Sequence, residues 1–154
     1  MKVNIETSFN IGFPTAIKYV QYPSLLEYIV WPLMQFEPLE PISFPSVWTE
    51  GMFLVKMKLL GIVSLGTQYI QIELPPSESS GTFVIRDNGS GQLIKVWDHI
   101  ITIKKTGEST VSYRDEVTIK AGILTPFIWA FAYIFYKWRQ FRWKKLVKGS
   151  FCQL

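Results

Sequence analysis

The sequence predicts an α+β fold in which one antiparallel sheet buries a face beneath a long C-terminal helix. Three observations carry that expectation. At the start, Val3, Ile5 and Thr7 alternate with Asn4, Glu6 and Ser8, the period of a half-buried strand. Between Val47 and Lys120, short alternating runs recur between turn residues, the pattern of an antiparallel meander. From Pro126 to about Val147 neither Gly nor Pro intervenes, which gives roughly 33 Å of uninterrupted helix.

After the first strand, Pro14 opens a short helix over residues 15–22, since proline at a first helical position forfeits no hydrogen bond. Pro23 and Ser24 open a second, which Pro32 ends near Trp31. Pro32, Pro38, Pro41 and Pro45 then make residues 32–46 an extended connection, since neither helix nor central strand tolerates that density. In the meander, Phe53, Val55, Met57 and Leu59 share a face opposite Lys56 and Lys58, and Gly61 and Gly66 punctuate. Ile70, Ile72 and Leu74 make the next stripe, stopped by Pro75 and Pro76. Phe83 and Ile85 make a short strand before Asp87-Asn88-Gly89, read as a hairpin turn. Trp97, His99, Ile101 and Ile103 follow, the chain turns near Gly107, and Tyr113, Asp115, Val117 and Ile119 close the sheet. Thr125 is placed to cap the final helix, with Pro126 in its first turn and Gly149 as its stop.

Composition narrows the classes. A chain of 154 residues buries roughly 68–70% of its unfolded surface, enough for a core without disulfides or metal. Hydrophobic residues make up 48% and aromatics 16%, which excludes disorder and points to a wide apolar interior, a membrane contact, or both. With one Cys and one His, no disulfide framework or Cys/His zinc site can be built, and no metal or cofactor is expected. A Cys152–His99 nucleophilic pair is disfavoured, since Cys152 sits in the terminal tail. Clustered metal-spaced carboxylates, phosphate loops, dinucleotide fingerprints and nucleophile elbows are all absent. Asn88-Gly89-Ser90 fits the glycosylation pattern, but the first residues lack a secretory apolar region, so the turn reading and a cytoplasmic location are expected.

The net charge of +4 is unevenly placed. After Glu116, seven bases and no acid remain. Three readings of a basic tail interleaved with Trp138, Phe141 and Trp143 can be weighed. It can be a helix with a solvated basic face. It can contact an anionic membrane surface through Lys137, Arg139, Arg142, Lys144, Lys145 and Lys148. Nucleic-acid binding is not expected, because no module motif accompanies the charge. Residues 121–136 are uncharged but fall short of the roughly 20 residues a span needs, and Pro126 cuts the helical part further. A membrane-associated chain using the apolar-then-basic segment 121–148 stays as an alternative.

The order strand, two short helices, meander, long helix is the helix-grip arrangement. On Pro45-Ser46-Val47-Trp48-Thr49-Glu50-Gly51, Trp97-Asp98-His99, Tyr113-Arg114-Asp115-Glu116-Val117, Gly122-Ile123-Leu124 and Phe135-Tyr136-Lys137-Trp138-Arg139, the chain resembles the START/SRPBCC superfamily. The superfamily includes polyketide cyclase-like and pollen-allergen-type proteins, and the likeness spans nearly all of residues 1–154, read as a single domain. It departs before the final helix, where Lys120-Ala121-Gly122 replaces the frequent Pro-Leu-Gly. The resemblance implies a curved sheet gripping a helix around an apolar cavity that binds lipids, sterols, polyketides or aromatic metabolites.

By alternation His99 and Asp115 both face the interior on adjacent strands, where a buried carboxylate must find a partner. Mutual attraction is expected to raise the imidazole pKa and lower the carboxyl pKa. The pair can fix strand register, anchor a ligand's hydroxyl or carbonyl, or act as acid and base in a cyclase or dehydratase-type reaction. The candidate cavity residues are Phe53, Met57, Trp97, His99, Tyr113, Asp115, Phe127 and Phe131. The function expected is binding of a small apolar molecule between sheet and helix, with catalysis unassigned.

Overall fold

The computed structural model describes residues 1–77 and 79–152, so the last two residues of the expected 1–154 domain lie outside it. Strand β1 (Lys2–Phe9) leads into helices α1 (Phe13–Val20) and α2 (Pro23–Val30). Strands β2 (Met34–Glu40), β3 (Gly51–Leu59), β4 (Val63–Glu73), β5 (Thr82–Gly91), β6 (Val96–Lys105) and β7 (Val111–Lys120) follow. A 3-10 turn at Gly122–Leu124 then delivers α3 (Thr125–Lys148). The strands form one seven-stranded antiparallel sheet in the order β1-β7-β6-β5-β4-β3-β2. This is the helix-grip α+β fold: hairpins join β2 to β7 in sequence, and β1 returns to pair with the last strand.

The period-2 pattern decides which face is buried. On β7, Val111, Tyr113, Asp115, Val117 and Ile119 are buried while the residues between them are not. One stripe of α3 meets that face: Ala132, Phe135, Tyr136, Arg139, Gln140, Trp143 and Leu146, the three-and-four spacing of a helix side. Carbonyls of β1, α2 and the residue that follows α2 lock its orientation. Trp129 Nε1 donates to Lys2 O at 2.7 Å, Trp138 Nε1 to Trp31 O at 3.1 Å and an Arg142 Nη to Tyr28 O at 3.0 Å.

Three expectations are corrected. The proline-rich connection contains strand β2, and Pro38 is tolerated because β2 is a sheet edge whose register slips between Pro38 and Glu40. Asp87-Asn88-Gly89 is no turn: β5 runs through it to Gly91, and the chain reverses over residues 92–95. Turn-forming residues are used there for an interruption of the ladder. Between the pairs Tyr69↔Ser90 and Ile72↔Asp87 the regular pairing lapses, and Gln71 N donates to Asp87 Oδ1 at 2.9 Å instead. Gly89 is needed because a Cβ there would sit 2.6 Å from Tyr69 O. Thr125, expected as the cap of the last helix, is its first residue. Its Oγ1 accepts from Ala121 N at 2.9 Å and donates to Gly122 O at 2.7 Å, fastening the turn that carries the chain from β7 into α3.

Candidate functional site

The space between the sheet and α3 is filled at one end and hollow at the other. At the filled end, Phe9 lies between Tyr113 and Trp143, with ring centroids 5.4 and 5.2 Å away. The hollow end is a cavity of about 330 Å³, toward the small end of ligand-pocket volumes (about 300–1,000 Å³). Its wall is mostly aliphatic and aromatic, drawn from α2, β2 to β7 and α3. Gln68, Asp87, His99, Tyr113, Tyr136 and Arg139 bring polar side chains to it, and Trp48 and Trp97 add indole N–H groups.

Of the residues singled out from sequence, Met57, Trp97, His99, Tyr113, Phe127 and Phe131 line this cavity. Phe127 stands at its mouth, 75% exposed. Phe53 does not line it. That ring packs against Trp48 at 5.2 Å and Phe44 at 6.3 Å, because the loop before β3 folds back over the end of the sheet. Asp115 lies behind the wall, 0% exposed, and acts on the cavity through its partners.

Those partners saturate it. Asp115 Oδ1 lies 2.8 Å from His99 Nε2 and accepts from the Tyr113 hydroxyl at 3.4 Å. Oδ2 accepts from Gln140 Nε2 at 2.9 Å, and that same nitrogen reaches Ile5 O at 2.8 Å. Burial pushes the Asp115 carboxyl up, but the charge of Arg139 and the His99 and Gln140 hydrogen bonds outweigh it and hold it below the usual range. The expected rise at His99 does not occur. Burial pushes the imidazole down and the nearby Arg139 adds to it, against the pull of Asp115, so the ring is held neutral. An ionised Asp115 can only accept, so the Nε2 proton faces it and Nδ1 is left as an acceptor with no hydrogen-bond partner among the described residues.

Two residues that alternation did not single out complete the site. Asp87 projects from β5, pushed up to about 7 chiefly by burial, with the Gln71 amide hydrogen bond opposing. Arg139 was read as part of a basic surface. It is instead 5% exposed, with its guanidinium centred 4.9 Å from the Tyr136 ring and 4.0 Å from Asp115 Oδ1. Arg142 is also withdrawn, 4.1 Å over the Tyr28 ring, which leaves Lys137, Lys144, Lys145 and Lys148 as the exposed bases of that set. The signal for Arg139 was in the sequence: it lies three and four residues from Tyr136, Phe135 and Trp143, on the apolar stripe of the helix. Leaving a buried charged donor unpaired costs on the order of 1–3 kcal/mol or more, and Arg139 Nε is shut from solvent without an acceptor among the described residues.

Among the described residues no cluster of three or more metal-ligating side chains exists, and no helix is long and apolar enough to cross a membrane. No protein-family profile matches the sequence, and no curated protein is significantly similar to it. Solved structures match across nearly the full length. A START-superfamily protein from Mycobacterium smegmatis superposes with a TM-score of 0.67 at 10% identity, covering 96% of this chain and 97% of its own. Norcoclaurine synthase from Thalictrum flavum, in truncated form, gives 0.61 at 13% identity, covering 96% and 92%. The Zhui aromatase/cyclase from a Streptomyces species gives 0.56 at 12% identity, covering 97% and 92%. At such identities the likeness establishes the fold: this chain is built as START-superfamily structures are built.

Proposed function

We propose that the chain binds a small, largely apolar molecule in the cavity between the sheet and α3, with the polar side chains on its wall orienting one end. The observation that carries this is an apolar space of about 330 Å³ beside a filled, ring-packed half of the same interior. A chain that needed only a core could have closed that space, since interiors pack to crystal-like density. The like-folded START-superfamily, synthase and cyclase structures support the reading, because proteins of this fold typically bind hydrophobic ligands. The exposed lysines of α3 fit a further, salt-sensitive contact with an anionic membrane surface, a role for four side chains and not six.

A second reading has its own support. The unpartnered Nδ1 of a neutral His99, backed by Asp115, has the arrangement of a general base facing the cavity, as a cyclase or dehydratase-type reaction requires. Native mass spectrometry of protein purified without detergent separates the two. The binding reading predicts releasable organic mass of a few hundred daltons that returns unchanged after rebinding. Release of an altered molecule moves the site to catalysis. Bare protein that also takes up no added apolar compound would overturn both.

A further inference from the structure

We infer that the ligand is an amphipathic acid whose carboxylate is received by Arg139, with its apolar tail running toward Phe127 at the mouth. This rests on the reading that the cavity holds an apolar molecule, and it adds the chemical class.

The guanidinium offers five N–H donors; Nε has no acceptor among the described residues, and the Tyr136 hydroxyl is the one side-chain hydrogen-bond partner of the group. The nearest carboxylate oxygen, Asp115 Oδ1, is 4.0 Å away and already serves His99 and Tyr113. Asp115 Oδ2 serves Gln140. Asp115 therefore balances the charge of Arg139 without using its donors. The guanidinium sits 4.9 Å from the centre of the Tyr136 ring and Arg139 lines the cavity, so with Nε shut away it is the two terminal nitrogens that are placed to meet a ligand there. A planar fork of donors matches a carboxylate in two hydrogen bonds, a fit that a hydroxyl or ester oxygen cannot reproduce.

The other polar groups of the wall accept this head. Burial favours the protonated form of Asp87, which donates to an anion where an ionised carboxylate would repel it. The Tyr136 hydroxyl stays protonated, since burial pushes it well above the usual phenol range, while Tyr113 already donates its proton to Asp115. A cationic head would instead enter beside a buried guanidinium. The rest of the wall, including Ile70, Ile101 and Phe131, is apolar and suits a hydrocarbon tail.

The test is displacement of an apolar naphthalene dye by decanoic acid, decanol, methyl decanoate and decylamine, at a pH where the acid is ionised. Wild-type protein should prefer the acid to the alcohol and ester by roughly ten- to a hundredfold, the worth of charged hydrogen bonds. Arg139→Met should erase that preference while holding decanol within about threefold of wild type, and Arg139→Lys should restore part of it. Equal binding of acid, alcohol and ester by the wild type would overturn the inference whether or not any variant folds. So would preference for the amine, or an acid preference that survives in folded Arg139→Met. If none of the four displaces the dye, or the dye itself does not bind, the underlying binding reading fails instead.

Discussion

At Asp87 a single carboxyl makes stability depend on pH across the neutral range. Burial raises it from 3.8 to about 7, so between those values the folded chain holds a proton that the unfolded chain has released. The stabilisation from holding it is complete below pH 3.8 and disappears as pH rises through about 7. Asp87→Asn keeps the acceptor for the Gln71 amide and removes the titration. Urea unfolding of the two proteins should therefore coincide near about pH 4, with the variant more stable by roughly 4 kcal/mol at about pH 8. Parallel stability curves would mean that Asp87 is solvated and ionised throughout. His99 and Asp115 were legible as a facing pair from strand alternation alone. The direction of the His99 shift was not, because it is set first by how deeply the ring is buried and then by Arg139, a third group brought in from the far end of the chain.

On β5, residues that favour turns are spent on keeping a carboxylate in the wall. The Asp-Asn-Gly run misled because its chemistry suits either a tight turn or a lapse in the ladder, and only the neighbouring strand decides between them. Gly89 makes this testable. A methyl there would meet the Tyr69 carbonyl at 2.6 Å, so Gly89→Ala must push β4 and β5 apart. Thermal unfolding should show a loss of about 1–3 kcal/mol, and an unchanged midpoint would show that the strands yield without cost. On α3 the division was partly readable. The aromatic first half announced burial, but seven bases in the tail concealed that Arg139 and Gln140 sit on the buried stripe with Trp143 and Leu146. Strand β2 escaped notice because its prolines argue against a central strand, and its place at the sheet edge is set by long-range pairing with β3.

Across the whole molecule, the order of elements carried most of the fold, since a meander with one apolar face and a helix of matching length have few ways to pack. How the rings divide the interior was beyond sequence. Phe9 and Trp143 close one half, Trp97, Phe131, Phe135 and Tyr136 line the other, Tyr113 touches both, and nothing in their spacing separates the sets. Whether that hollow half is a binding site is tested most directly by filling it. Ile101 faces the cavity from the middle of β6, so Ile101→Trp should occupy the space and leave the sheet intact. Fluorescence titration with an apolar naphthalene dye should give one saturable site in the wild type. A variant that unfolds within a few degrees of wild type should bind at least about tenfold more weakly. Equal binding by wild type and a folded Ile101→Trp would place the dye elsewhere and contradict a ligand site between the sheet and α3.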